Sequence, residues 1–124
     1  VLMLIEPQGM HRLMSWLRDE QANFVEWCER EEILSLNNGL DYVGSGGWGI
    51  TDELPKSKSR KTLLSDLWCL SESQESVGIS PELFGEFVFP YQLPVIEKFG
   101  LCCYGCCEGI HDRLDCILRI SNLE

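Results

Sequence analysis

Helical and extended patterns alternate along this chain, and that alternation limits its fold more than any other feature. Behind Pro7, apolar residues at Met10, Leu13, Met14, Leu17, Phe24, Val25 and Trp27 recur at helical spacing, which predicts one long helix over about 7–32. Trp16, Phe24 and Trp27 read as core residues of that helix, and Asp19, Glu20, Glu26 and Glu29 as its solvent side. Short apolar runs at 33–36, 67–70 and 101–104 predict strands. Ser80-Pro81-Glu82 predicts a second helix start: a capping hydroxyl, a proline at the first helical position and an acid in the first turn. Leu83, Phe84, Phe87, Val88 and Tyr91 form its inner face, Pro90 and Pro94 kink or break it, and Gly100 ends it. A last helix over 112–120 turns Leu114, Ile117 and Leu118 inward. Strands alternating with helices imply parallel pairing, with helices covering the sheet.

The totals narrow the function classes. A chain of 124 residues with 44% apolar and 24% charged residues suits a single α/β unit spanning 1–124 with a packed core. Its net charge of −10 repels phosphate backbones and anionic lipid, which argues against nucleic-acid and membrane-surface binding. Lys56, Lys58, Arg60 and Lys61 are too few for a nucleic-acid arm in so acidic a chain, and read as a solvated loop. No apolar run approaches a membrane span, and Val1 to Ile5 is too short for a signal peptide. Seven cysteines, an odd number with two adjacent pairs, fit a reduced cytoplasmic protein better than a disulfide framework. The chain opens without methionine and stops after a helical pattern, so a piece of a longer polypeptide is expected.

The chemistry concentrates in Cys102, Cys103, Cys106, Cys107, Glu108 and His111. Overlapping Cys-x-x-Cys and Cys-x-x-x-His spacings of soft and borderline ligands suit a cation such as zinc. The same cysteines also read as small apolar fillers of a tight strand and turn. Cys103-Tyr104-Gly105-Cys106 reads, as a third possibility, as a dithiol redox pair. Three polar runs, 37–53, 71–75 and 103–111, each follow a strand candidate, and in parallel α/β architectures such loops converge on one face and build the site. Asp52 and Glu72 are the candidate catalytic acids, and Trp48, Gln74 and Tyr104 the candidate substrate contacts. Glycine-rich 44–49 lacks the lysine and spacing of a phosphate-binding loop.

Two segments carry a resemblance. His11-Arg12-Leu13-Met14-Ser15-Trp16-Leu17-Arg18-Asp19 looks like a helix midway through the uroporphyrinogen decarboxylase superfamily, and Ser80-Pro81-Glu82-Leu83-Phe84-Gly85-Glu86-Phe87-Val88-Phe89-Pro90-Tyr91 resembles its Ser-Pro-x-x-Phe…Phe…Pro-Tyr segment. The resemblance covers most of this chain and about the middle third of a family member. It implies part of a (β/α)8 barrel, a TIM barrel, and either decarboxylation or the zinc-dependent transfer of methyl groups between corrinoid proteins and thiols. The methyltransferase branch typically carries His-x-Cys-Gly; the aligned run here is Tyr104-Gly105-Cys106-Cys107-Glu108. Cys106 then takes the place of the zinc-binding cysteine and Tyr104 that of the histidine, leaving Cys103, Cys107, Glu108 or His111 to complete the set.

The expectation is a metal-dependent methyltransferase acting on a small-molecule thiol, with zinc and a corrinoid protein partner. The alternatives are a metal-independent decarboxylase-like lyase in which Asp52 handles the proton, and a non-enzymatic metal-binding or interaction domain. A partial barrel leaves strand edges and helix faces uncovered, so self-association into a homo-oligomer is expected.

Overall fold

The computed structural model describes residues 1–44, 47–57, 61–105 and 107–124. Helix α1 (Leu2–Ile5) is a single turn, and α2 (Pro7–Arg30) is the expected long helix, with Pro7 in its first turn. It ends where Glu32 adopts a left-handed φ of 59° and the Ile33 N–H returns to the Cys28 carbonyl. The strand expected at 33–36 does not form: Ile33 and Ser35 are exposed, and the segment makes no ladder. Its successor Asn37 supplies the pairing instead. The Asn37 amide accepts from Trp68 N at 2.9 Å and donates to Trp68 O at 3.0 Å, imitating one backbone unit.

Strands β1 (Trp68–Ser71) and β2 (Leu101–Tyr104) pair in parallel, with Trp68 opposite Leu101 and Ser71 opposite Tyr104. Between them run α3 (Pro81–Phe87) and α4 (Phe89–Ile96). Ser80 caps α3 by accepting from Leu83 N at 3.3 Å. The expected second helix divides at Val88 because Pro90 lacks an N–H and is accommodated in the first turn of a new helix. Pro94 is carried inside α4. Beyond β2 comes α5 (Leu114–Ile117), shorter than the helix expected over 112–120. Its inner positions also differ from expectation: Leu114 and Leu118 are exposed, while Arg113, Ile117 and Ile120, spaced four and three apart, are buried.

The far edge of β2 is occupied as well. Cys102 N donates to Asn122 O at 2.7 Å and Glu124 N donates to Cys102 O at 2.9 Å, forming a parallel bridge between Cys102 and Leu123. Spatial order therefore follows chain order: Asn37, β1, β2, Leu123. The molecule is a mixed α/β structure of one long helix plus two parallel strands with helices. Among the described residues the sheet does not close into a barrel.

One sheet face carries Cys69, Cys102 and Tyr104 against a core of Phe84, Phe89, Ile96, Ile117 and Ile120. The opposite face carries Trp68, Leu70, Leu101 and Cys103 beneath residues of the 38–54 segment; the Trp68 indole donates to Gly49 O at 2.9 Å. Gly100 is required by a close approach, since a Cβ there would sit 2.3 Å from Ser65 O. Residue α2 Glu29 is half-buried rather than solvated, accepting from Leu64 N at 2.6 Å. Trp16, Phe24 and Trp27, expected in the core, are 58%, 61% and 42% exposed and align with Leu13 and Leu17 as an uncovered stripe. The packed side of α2 is instead held by groups such as His11, which stacks on Phe87 and meets the Tyr91 hydroxyl at 2.7 Å.

Candidate functional site

The carboxyl ends of β1 and β2 gather a linked set of polar groups, two of them, Ser73 and Arg113, buried. Tyr104, the last residue of β2, donates its hydroxyl to Gln92 Oε1 at 2.6 Å, and Gln92 Nε2 donates to the Glu72 carbonyl at 2.7 Å. Gln92 is the lone amide in the apolar run of α4, and it is fixed at both ends. One of its two N–H donors remains for a further acceptor.

Arg113 closes the other side. Its Nη1 donates to Ser73 O at 3.1 Å and Ser73 Oγ at 2.9 Å, its Nη2 donates to Ser76 O, and its guanidinium lies 5.0 Å from the Phe84 ring centre. Only 5% of Arg113 is exposed, and it enters none of the ion pairs formed among the described residues. Burial pushes the Tyr104 phenol above its ordinary range, against the opposing hydrogen bonds from Ser73 and Gln92 and the charge of Arg113.

A cleft of about 180 Å³ opens beside this network, between α2, α4 and β1. Gln21, Ser71, Glu72 and Gln92 supply its polar wall, and Cys69, Val95 and Ile96 its apolar one, with Leu70 at the rim. Glu72 is the one carboxyl among these lining residues. Gln21 and Gln92 are shared with a neighbouring groove of about 350 Å³ that reaches Arg18 and Tyr91.

The residues singled out from sequence divide accordingly. Tyr104 is linked through Gln92 to the backbone carbonyl of Glu72, whose exposed side chain takes no part in that link. Gln74 lies in the exposed turn Gln74–Ser76, outside the residues that line the cleft. Trp48 pairs with Tyr42, the ring centres 4.7 Å apart, on the far side of the sheet from the core. Asp52 is solvent-exposed and paired with Lys56, whose hydrogen bond and charge hold its carboxyl below the ordinary value.

The metal-ligand candidates are spread out. Cys103 is half-buried on β2, its thiol pushed up by burial, and Gly44 packs so closely that a Cβ there would lie 2.6 Å from Cys103 Sγ. Cys107 and Glu108 are exposed on the turn after β2. His111 is 78% exposed at its side chain and meets Asp112 at 3.1 Å. Cys106 lies outside the described residues. Among the described residues, no three His, Cys, Asp or Glu side chains come close enough to hold a metal ion together.

Three residues escaped the sequence reading. Gln92 was visible as a polar interruption of an apolar run. Arg113 was visible through its i, i+4, i+7 spacing with Ile117 and Ile120. Ser73 was visible only as a member of the polar run 71–75. Among the described residues, no helix is long and apolar enough to cross a membrane. The chain finds no match among protein-family models, curated proteins or solved structures.

Proposed function

We propose that this chain is part of a (β/α)8-barrel enzyme resembling the uroporphyrinogen decarboxylase superfamily, binding a small carboxylated molecule at the carboxyl ends of β1 and β2. One observation carries the reading: Gln92 and Tyr104 join with the main-chain carbonyl of Glu72 at the end of a parallel pair, where α/β enzymes build their sites, and Glu72 also lines the cleft there. The chain-order succession of β1, β2 and the Leu123 bridge supports the barrel winding. The half-exposed Leu70, on the face away from the helices, is where a barrel interior would add cover.

In this reading the free Gln92 N–H binds a substrate oxygen, the apolar wall excludes water, and the Glu72 carboxyl moves a proton at the reacting carbon. Decarboxylation leaves a carbanion that needs such a proton. The described donors after β2 do not fit a zinc site, so no step is routed through zinc or a corrinoid. Zinc content of the parent and of Cys106→Ser decides between the two branches. Equal content leaves the metal-free reading in place, and one zinc per chain that disappears with Cys106 replaces it with thiol methyl transfer.

The uncovered stripe of α2 supports self-association as part of the same reading. Leu13, Trp16, Leu17, Phe24 and Trp27, with Leu2, Leu4 and Ile5 of α1, are each 42–73% exposed. An uncovered apolar face of this kind suits burial against a second copy.

The binding test is calorimetric titration with a panel of small carboxylic acids. Gln92→Leu removes one charge-assisted hydrogen bond and is expected to weaken the best binder about tenfold or more. A panel with no binder, or equal binding by Gln92→Leu, defeats the reading.

A further inference from the structure

We infer that Cys69 and Cys102 form a redox-active dithiol at the wall of the β1 cleft, where Cys69 meets a small hydroperoxide and Cys102 resolves the product into a disulfide. The two cysteines are register partners across the parallel pair. Neighbouring strands lie about 4.8 Å apart, inside the ~4.4–6.8 Å Cα window for a disulfide, and paired positions project from the same sheet face. Access is asymmetric. Cys69 lines the cleft, while Cys102 is 0% exposed in the core.

The acidities follow that geometry. The hydrogen bond from the Cys102 thiol draws Cys69 below the ordinary thiol value, and the same bond, with burial, pushes Cys102 up. Cys69, the member that lines the cleft, is therefore the one that meets the oxidant and acts as the nucleophile. The remaining described cysteines lack this arrangement: Cys103 faces the other side of the sheet, Cys107 is exposed on a turn, and Cys28 and Cys116 sit on helices.

The reaction balances in two steps. The Cys69 thiolate attacks a peroxide oxygen, the O–O bond breaks, and the departing alkoxide or hydroxide takes a proton from water, leaving a sulfenic acid. Cys102 sulfur then attacks Cys69 sulfur. The S–O bond breaks, and hydroxide leaves as water with the proton of the Cys102 thiol. Two thiols lose two electrons and the hydroperoxide gains them; a small dithiol reverses the bridge by exchange. The bridge ties β1 to β2 and removes the Cys69 thiol from the cleft wall. None of this depends on the decarboxylase-like reading, because the readout is the state of the sulfurs and not turnover.

The test treats the whole chain with hydrogen peroxide, blocks remaining thiols under denaturing conditions and maps the peptides by mass spectrometry. A Cys69–Cys102 cross-link that dithiothreitol releases is expected as the main early product. In Cys102→Ser, a dimedone-trapped sulfenic acid should accumulate at Cys69 several-fold above the parent, and Cys69→Ser should give neither species. Native alkylation of the unmodified parent supplies a measurement independent of any variant's folding, with Cys69 reacting well ahead of Cys102. The proposal is overturned if Cys107 oxidises while Cys69 and Cys102 stay alkylatable, or if Cys102 alkylates as fast as Cys69.

Discussion

Two groups of thiols in this molecule invite comparison. Cys103, Cys106, Cys107 and their neighbours are crowded in sequence, yet the described members lie on a strand face and an exposed turn without converging. Cys69 and Cys102 are far apart in sequence and are brought side by side by strand register. Parallel pairing, not local density, decides which sulfurs meet. The difference extends to the surroundings, since one pair is anchored in the aromatic core and the turn is in solvent.

The sharpest way to break that contrast is to remove its foundation. Phe84 is fully buried beneath Arg113 and beside Phe89, and Phe84→Ala is expected to cost about 3–5 kcal/mol in denaturant unfolding. A loss below about 1 kcal/mol would mean that the core is not packed as described. Arg113→Met comes next. It removes the guanidinium hydrogen bonds to Ser73 and Ser76, whose carbonyls keep the donors Ser76 N, Ser76 Oγ and Ile79 N, for an expected loss of about 1–2 kcal/mol by the same measurement.

Gly44→Ala probes the opposite sheet face. Its Cβ would collide with Cys103 Sγ, costing about 1–3 kcal/mol, and Cys103→Ala in the same chain should recover part of that loss. Additive losses in the double-mutant cycle would show that the two positions do not touch. Tyr104 supplies a pH signature. Because burial raises its folded pKa above the ordinary 10.0, the folded state holds the proton more tightly. Stability is therefore intact below pH 10 and falls as pH rises from there through the folded value. Tyr104→Phe should cost about 1 kcal/mol at neutral pH and flatten part of the alkaline decline. The smallest effect belongs to the turn: Cys107→Ser should change stability by less than about 0.5 kcal/mol.

The parts legible in sequence are those set by local rules. The long helix, the Ser80-Pro81 start, the division near Pro90 and both strands follow from spacing, capping and proline chemistry. The 33–36 strand failed because four partly apolar residues cannot specify a ladder partner, and the Asn37 amide took the place on the β1 edge. The stripe Leu13, Trp16, Leu17, Phe24 and Trp27 has helical periodicity without burial, since periodicity identifies an apolar face but not what covers it. At the site, Glu72 and Tyr104 were visible as strand-tip residues. Their link through Gln92 depends on how α4 leans over the sheet, which no spacing encodes. Cys69 and Cys102 likewise depend on a register between segments joined by two helices.

Arg113 carries one consequence further. The chain has a net charge of −10, yet this guanidinium is enclosed with only neutral acceptors and an aromatic ring around it. The molecule is thus electropositive at this inner point and electronegative outside, and the surrounding acids favour the enclosed cation over distance. Dissolved salt shortens the reach of those acids far more than it affects the cation's short hydrogen bonds. Neutralising outlying carboxylates would therefore weaken that distant support while leaving the hydrogen bonds that hold the 73–76 turn in place.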